Sequence, residues 1–100
     1  MRAITLLAIT AFYEGRNFKL ESTEVIVDAD RTRLFLRHEL IAKLDGVNLF
    51  ITNNGWFNAT TKERLNGLRG VNITQKNRSY KNRSWWLNGK EWDGSWIQIL

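Results

Sequence analysis

Leu40-Ile41-Ala42-Lys43-Leu44-Asp45-Gly46-Val47-Asn48-Leu49-Phe50-Ile51-Thr52 is the stretch that decides the fold. Asp-Gly between two apolar runs is a strong hairpin signal, because both central residues of a type I′ loop need positive φ. A loop at Asp45-Gly46 pairs Leu44 with Val47, Lys43 with Asn48, Ala42 with Leu49 and Ile41 with Phe50. One face then carries Leu40, Ala42, Leu44, Val47, Leu49 and Ile51, all apolar. The opposite face carries Ile41, Lys43, Asn48, Phe50 and Thr52 and is mixed. A slip of one residue would destroy that partition, so the pattern specifies the register.

On the N-terminal side, Leu34-Phe35-Leu36 predicts a strand entering the hairpin. Residues 18–28 predict another, clearest at Val25-Ile26-Val27, with Asp28-Ala29-Asp30-Arg31 as the turn between them. Glu14-Gly15-Arg16-Asn17 marks an earlier turn. Residues 3–13, rich in Ile, Leu, Thr and Phe with no helical punctuation, are expected to form a strand buried on both faces.

On the C-terminal side, Asn53-Asn54-Gly55 ends the hairpin and a short helix is expected over residues 60–69. Thr60 and Glu63 have the spacing of a capping box, Leu65 and Leu68 form an apolar stripe, and Gly70 stands where a helix would stop. Gly67 costs such a helix about 1 kcal/mol relative to alanine, so it must lie on the sheet. Val71, Ile73 and Gln75 alternate with polar residues and predict a strand. Trp85-Trp86-Leu87-Asn88-Gly89-Lys90-Glu91-Trp92 is a second hairpin that pairs Trp85 with Trp92. Asp93-Gly94 turns the chain into a last strand at residues 96–100.

The expected architecture is α+β, an antiparallel sheet of about six strands with one short helix packed on one face. Residues 1–100 form one domain in this reading. Its core comprises Leu6, Ile9, Val25, Ile26, Leu34, Leu36, Leu40, Ala42, Leu44, Leu49, Ile51, Trp56, Leu65, Leu68, Ile73, Leu87 and Ile97. Trp56 is expected to anchor the helix against the sheet.

Residues 1–50 hold seven cations and seven anions, whereas residues 51–100 hold eight cations and three anions and therefore carry the whole net charge of +5. Much of that excess lies in residues 76–85, Lys-Asn-Arg-Ser-Tyr-Lys-Asn-Arg-Ser-Trp, a tandem five-residue repeat. An odd period matches no continuous strand, so the repeat reads as a loop. Cations interleaved with aromatics can hold phosphates and stack bases. The candidate partner or nucleic-acid site is therefore Arg64, Arg69, Lys76, Arg78, Tyr80, Lys81, Arg83, Trp85 and Trp86. The opposing reading is a solvated loop leading into a Trp-rich core strand.

Other chemistries find little support. The chain has no cysteine, which removes disulfides, thiolate metal sites and a cysteine nucleophile, and favours a reducing cytoplasm. His38 is the lone histidine and reads as a surface or turn residue. Glu21, Glu24, Asp28 and Asp30 lack the spacing of a calcium loop. No triad order, P-loop or dinucleotide fingerprint occurs. No catalytic residue, metal or cofactor is therefore assigned, and no membrane-spanning segment is expected.

Ile41-Ala42, Gly55-Trp56, Thr60-Thr61-Lys62-Glu63-Arg64-Leu65-Asn66, Gln75-Lys76 and Leu87-Asn88-Gly89 occur in an order that resembles a family of small tailed-bacteriophage proteins of unassigned function. The resemblance spans residues 34–94 and rests on an I-A, G-W, T-T-x-x-R-L-N and L-N-G core. This chain departs from it at His38-Glu39-Leu40, where members often have His-Gly-Asn, and in the longer stretch that holds the repeat. The resemblance implies a phage origin and brings no catalytic residues. The resulting expectation is a non-enzymatic accessory protein, monomer or homodimer, that binds a host protein in the host cytoplasm. The alternative is a nucleic-acid-binding module built on residues 62–86.

Overall fold

The hairpin is present in the computed structural model, which describes residues 1–75 and 85–100. Strand β4 (Glu39–Asp45) pairs with β5 (Asn48–Ile51), matching Asp45 with Asn48, Leu44 with Leu49, Lys43 with Phe50 and Ala42 with Ile51. The loop is Gly46-Val47, one residue later than expected. Gly46 has φ +61 and Val47 is not among the positive-φ residues. A β-branched valine resists that conformation, so glycine takes the first loop position. Every expected partner changes, yet each side chain paired between β4 and β5 keeps its face, because the pairing slides by two. Val47, in the loop, leaves the apolar face and is 83% exposed.

A bulge corrects the second half of the expected pattern. Strand β3 (Arg31–Leu36) pairs Leu34 with Ala42 but Phe35 with Leu40, so Ile41 is an extra residue on β4. Both Ile41 and Ala42 therefore reach the core, while Leu40 is displaced to the outer face opposite Phe35. The carbonyl of Ile41 accepts the Thr52 N–H at 2.9 Å, which keeps the bulge tied to the hairpin.

Strand β2 (Thr23–Asp28) alternates, with Thr23 and Val25 buried. The expected strand over residues 18–28 is broken at Glu21, which has φ +54, giving β1 (Phe18–Leu20) as a separate edge strand. Strand β9 (Ile97–Gln98) closes the other edge on β5. The six strands run in the order β1-β2-β3-β4-β5-β9, each antiparallel to its neighbour.

Residues 3–13 are not a strand. They form helix α1 (Ala3–Glu14), ended by Gly15 in the left-handed conformation at φ +67. Its buried residues are Ile4, Thr5, Ala8, Ala11 and Phe12, a helical spacing that packs on the inner face of the sheet. The outward side is apolar too, so no period stands out in the sequence. Helix α2 (Ala59–Asn66) starts one residue earlier than expected, with its cap two residues earlier. Its cap is Asn58, whose side chain accepts the Thr61 N–H at 2.9 Å. Gly67 ends α2, and a Cβ there would lie 2.7 Å from Ile9 Cγ1. The missing side chain lets α2 finish against α1; Gly70, at φ +79, lies in the turn beyond.

A second sheet contains β6 (Ile73–Thr74), β7 (Trp85–Leu87) and β8 (Lys90–Trp92) in that order. Trp85 pairs with Trp92 across the Asn88-Gly89 loop as expected, with ring centroids 6.2 Å apart. The Trp85 ring also meets Phe57 edge-on at 5.1 Å. One apolar cluster runs from Phe12 and Val25 through Leu34 and Ile51 to Leu65, Trp85 and Trp92. The core reading needs correction at Leu6, Trp56 and Ile97, all exposed, and at Ile26 and Leu40, half-buried on the outer face. Trp56 lies under the Arg37 guanidinium at 5.7 Å instead of anchoring α2.

Candidate functional site

The residues singled out in the sequence do not assemble into one surface. Lys76, Arg78, Tyr80, Lys81 and Arg83 lie outside the described residues. Arg64 is 2% exposed and Trp85 is a core residue, so neither offers itself to a partner. Arg69 is exposed and lies over the Tyr13 ring at 4.2 Å, while its backbone N–H donates to the Tyr13 hydroxyl at 2.8 Å. Trp86 is half-buried on β7, on the face opposite Trp85.

Arg64 belongs to an interior polar cluster. Its guanidinium donates to Thr5 Oγ1 at 2.6 Å, Thr23 Oγ1 at 3.1 Å and Glu63 Oε1 at 2.9 Å. Thr5 in turn donates to Glu63. That hydrogen bond is the main reason the Glu63 carboxyl sits below its usual range, with the Arg64 charge adding to it. Burial pulls the Arg64 guanidinium down from its usual value, against the carboxylate's support. The cluster ties α1, α2 and β2 together, which accounts for arginine at this position. Asn66 has a comparable role: its amide donates to the Ile73 carbonyl and accepts the Ile73 N–H, docking β6 on α2.

The sequence reading missed two surfaces. The first is the outer face of the six-stranded sheet, away from α1. Register places Ile26, Arg33, Lys43, Phe50 and Gln98 in one row across five strands. That row holds two facing cations and no carboxylate. Lys43 Nζ stands 5.3 Å from the Phe50 ring centre and 4.8 Å from that of Trp96, which is 45% exposed. Arg33 lies over Phe35 at 5.6 Å. A groove of about 360 Å³ runs here between Arg31, Arg33, Leu40, Lys43 and Phe50, with Asp45 at its end. The signal was visible as the mixed face of the hairpin, but the alternation Arg31-Arg33-Phe35 had to be added to it by pairing.

The second is the outward side of α1. Ala3, Leu6, Leu7 and Thr10 are exposed at a spacing of three, four and seven residues. Leu6 is 55% and Leu7 52% exposed, large fractions for leucine on a helix whose other side is fully packed.

His38 lies exposed in the β3–β4 turn at φ +64. Among the described residues, no three His, Cys, Asp or Glu side chains gather as a metal site, and no helix is long and apolar enough to cross a membrane. No curated protein and no solved structure matches the chain. A family model does: residues 1–98 match the one described as Kyanoviridae Gp96 protein. That match takes in α1, both sheets and α2, and the chain therefore belongs to this family of phage proteins.

Proposed function

We propose that the protein is a non-enzymatic phage accessory factor that binds a host protein in the host cytoplasm, inhibiting or redirecting it. The observation that carries this reading is the outward stripe of α1. Two exposed leucines, flanked at helical spacing by Ala3 and Thr10, are the kind of anchor that a helix presents to a hydrophobic groove of a partner. Leu6 and Leu7 contribute nothing to the core, yet they keep apolar surface in water. Membership of a phage family supports the biological setting.

The test is an affinity pull-down from host lysate with and without nuclease, using the wild type and Leu6→Ser/Leu7→Ser. A single host protein retained after nuclease by the wild type and lost by the variant is the expected result. Light scattering on the purified protein runs alongside. A wild-type dimer that becomes a monomer in the variant would give the stripe to a second copy and defeat the host-protein reading.

The rival, nucleic-acid binding through residues 62–86, loses Arg64 and Trp85 to the interior. Arg69 and Trp86 stay at or near the surface. Neutralising Lys76, Arg78, Lys81 and Arg83 together tests that segment directly.

A further inference from the structure

Arg33 and Lys43 face each other directly across β3 and β4, on the outer side of the sheet. Like charges in that relation repel and weaken the pairing. Among the described residues, no carboxylate lies within 4.0 Å of Lys43, and the contact of Arg33 with Asp28 is at the limit, 4.0 Å. Relief from the acids of this face is one-sided, reaching Arg33 through Asp28 but not Lys43. Asp28 and Asp45 fall in the next row with Arg31 between them, and Glu24 falls in the row of Phe35 and Leu40. A local rule broken on central strands, with no carboxylate beside Lys43 among the described residues and only a 4.0 Å contact at Arg33, marks a place where something outside the chain supplies the missing charge.

The aromatic residues narrow what that is. Each of the two cations stands over ring faces: Arg33 over Phe35, and Lys43 over Phe50 and Trp96. Such contacts are weak at a solvated surface and readily exchanged for a phosphate. Once the cation turns to a phosphate, the ring it covered is free to receive a base. Phosphate-binding cations alternating with stacking rings along a sheet are the chemistry of single-strand recognition. The groove of about 360 Å³ beside them is within the range of a small-ligand site. A duplex hides its base faces and would gain only the phosphate contacts.

We propose that the outer face of the six-stranded sheet binds single-stranded nucleic acid, with backbone phosphate held by Arg33 and Lys43 and bases stacked along Phe35, Phe50 and Trp96. This face lies across the sheet from α1, so the proposal stands apart from the host-protein reading, and either can fail alone. It also differs from a site on residues 76–84, whose cations it does not require.

The test is fluorescence anisotropy of the full chain with labelled single strands of about twelve nucleotides, DNA and RNA, over a salt series. The competitors are a duplex of the same sequence and poly-glutamate. The variants are Arg33→Gln/Lys43→Gln, Trp96→Ala and the quadruple Lys76→Gln/Arg78→Gln/Lys81→Gln/Arg83→Gln. The wild type is expected to bind single strands more tightly than duplex. The Arg33→Gln/Lys43→Gln variant should weaken binding by about tenfold and flatten the log–log salt slope by about one unit or more. Trp96→Ala should weaken single-strand binding while leaving that slope in place. Removal of the facing charges relieves repulsion, so the double variant should melt no lower than the wild type, which excludes misfolding as the cause. The proposal is overturned if the wild type binds no single strand, or if the double variant binds as the wild type does. Loss confined to the quadruple variant would move the site to residues 76–84 and overturn it too. Equal competition by poly-glutamate would make this a surface for an acidic protein instead.

Discussion

Arg64 shows how much one buried charge can organise. It is expensive to desolvate, and it persists because Thr5, Thr23 and Glu63 all receive its hydrogen bonds. Glu63 is the titrating member. Its carboxyl lies below the usual range because Thr5 donates to it and Arg64 stands beside it. A carboxyl depressed by folding stabilises the protein at pH values above its unfolded value, about 4.3. That contribution fades as pH falls through the lower folded value. Glu63→Gln should therefore lower the unfolding free energy by about 1 kcal/mol at pH 7. The gap between variant and wild type should close under acid conditions. Urea unfolding of both proteins from pH 7 to pH 3 checks this; a gap that widens in acid would contradict it. Nothing in the sequence announces this cluster, because Thr5, Thr23 and Arg64 are distant in the chain and Glu63 reads as half of a capping box.

The two helices were read with opposite success at the level of elements. Helix α2 was legible through capping chemistry, although the cap was placed at Thr60 and lies at Asn58. Both residues have the right side chain, and only the path of the chain out of β5 selects between them. Asn58→Ala should cost about 1 kcal/mol, whereas Thr60→Ala should cost markedly less. Chemical denaturation of the two variants separates the assignments. Helix α1 was misread because its residues are apolar on both sides. Ile4, Thr5, Ile9 and Thr10 favour strands, Leu6, Leu7 and Ala8 favour helix, and no polar face sets the period. The outward face of α1 has no place in the core, so Leu6, expected there, lies in solvent.

On the scale of the whole molecule, a single apolar cluster joins α1, the inner face of the large sheet, α2 and the small sheet. The small sheet has only short strands and depends on Trp85 and Trp92 packing into that cluster. The two sheets should therefore unfold together. Tryptophan fluorescence and far-ultraviolet circular dichroism are expected to trace one superimposable transition in urea. An early fluorescence change would mean that the small sheet melts alone. Among the described residues no helix packs on the other face of the large sheet, and that asymmetry collects Arg33, Lys43, Phe50 and Trp96 there.

Local chemistry was enough to specify the hairpins, the α+β class, the short helix, the faces of β5 and those of residues 42–44 in β4. Those features depend on alternation and on turn residues that act within a few positions of one another. Tertiary structure alone decided the helical state of residues 3–14, the bulge at Ile41, the burial of Arg64 and the row of facing cations on the open sheet. Each of these depends on what lies opposite in space: a packed inner face for α1, an unmatched strand for Ile41, hydroxyl partners for Arg64, and strand register for Arg33 and Lys43. Sequence spacing carries the period of an element, but it does not carry the identity of its neighbour.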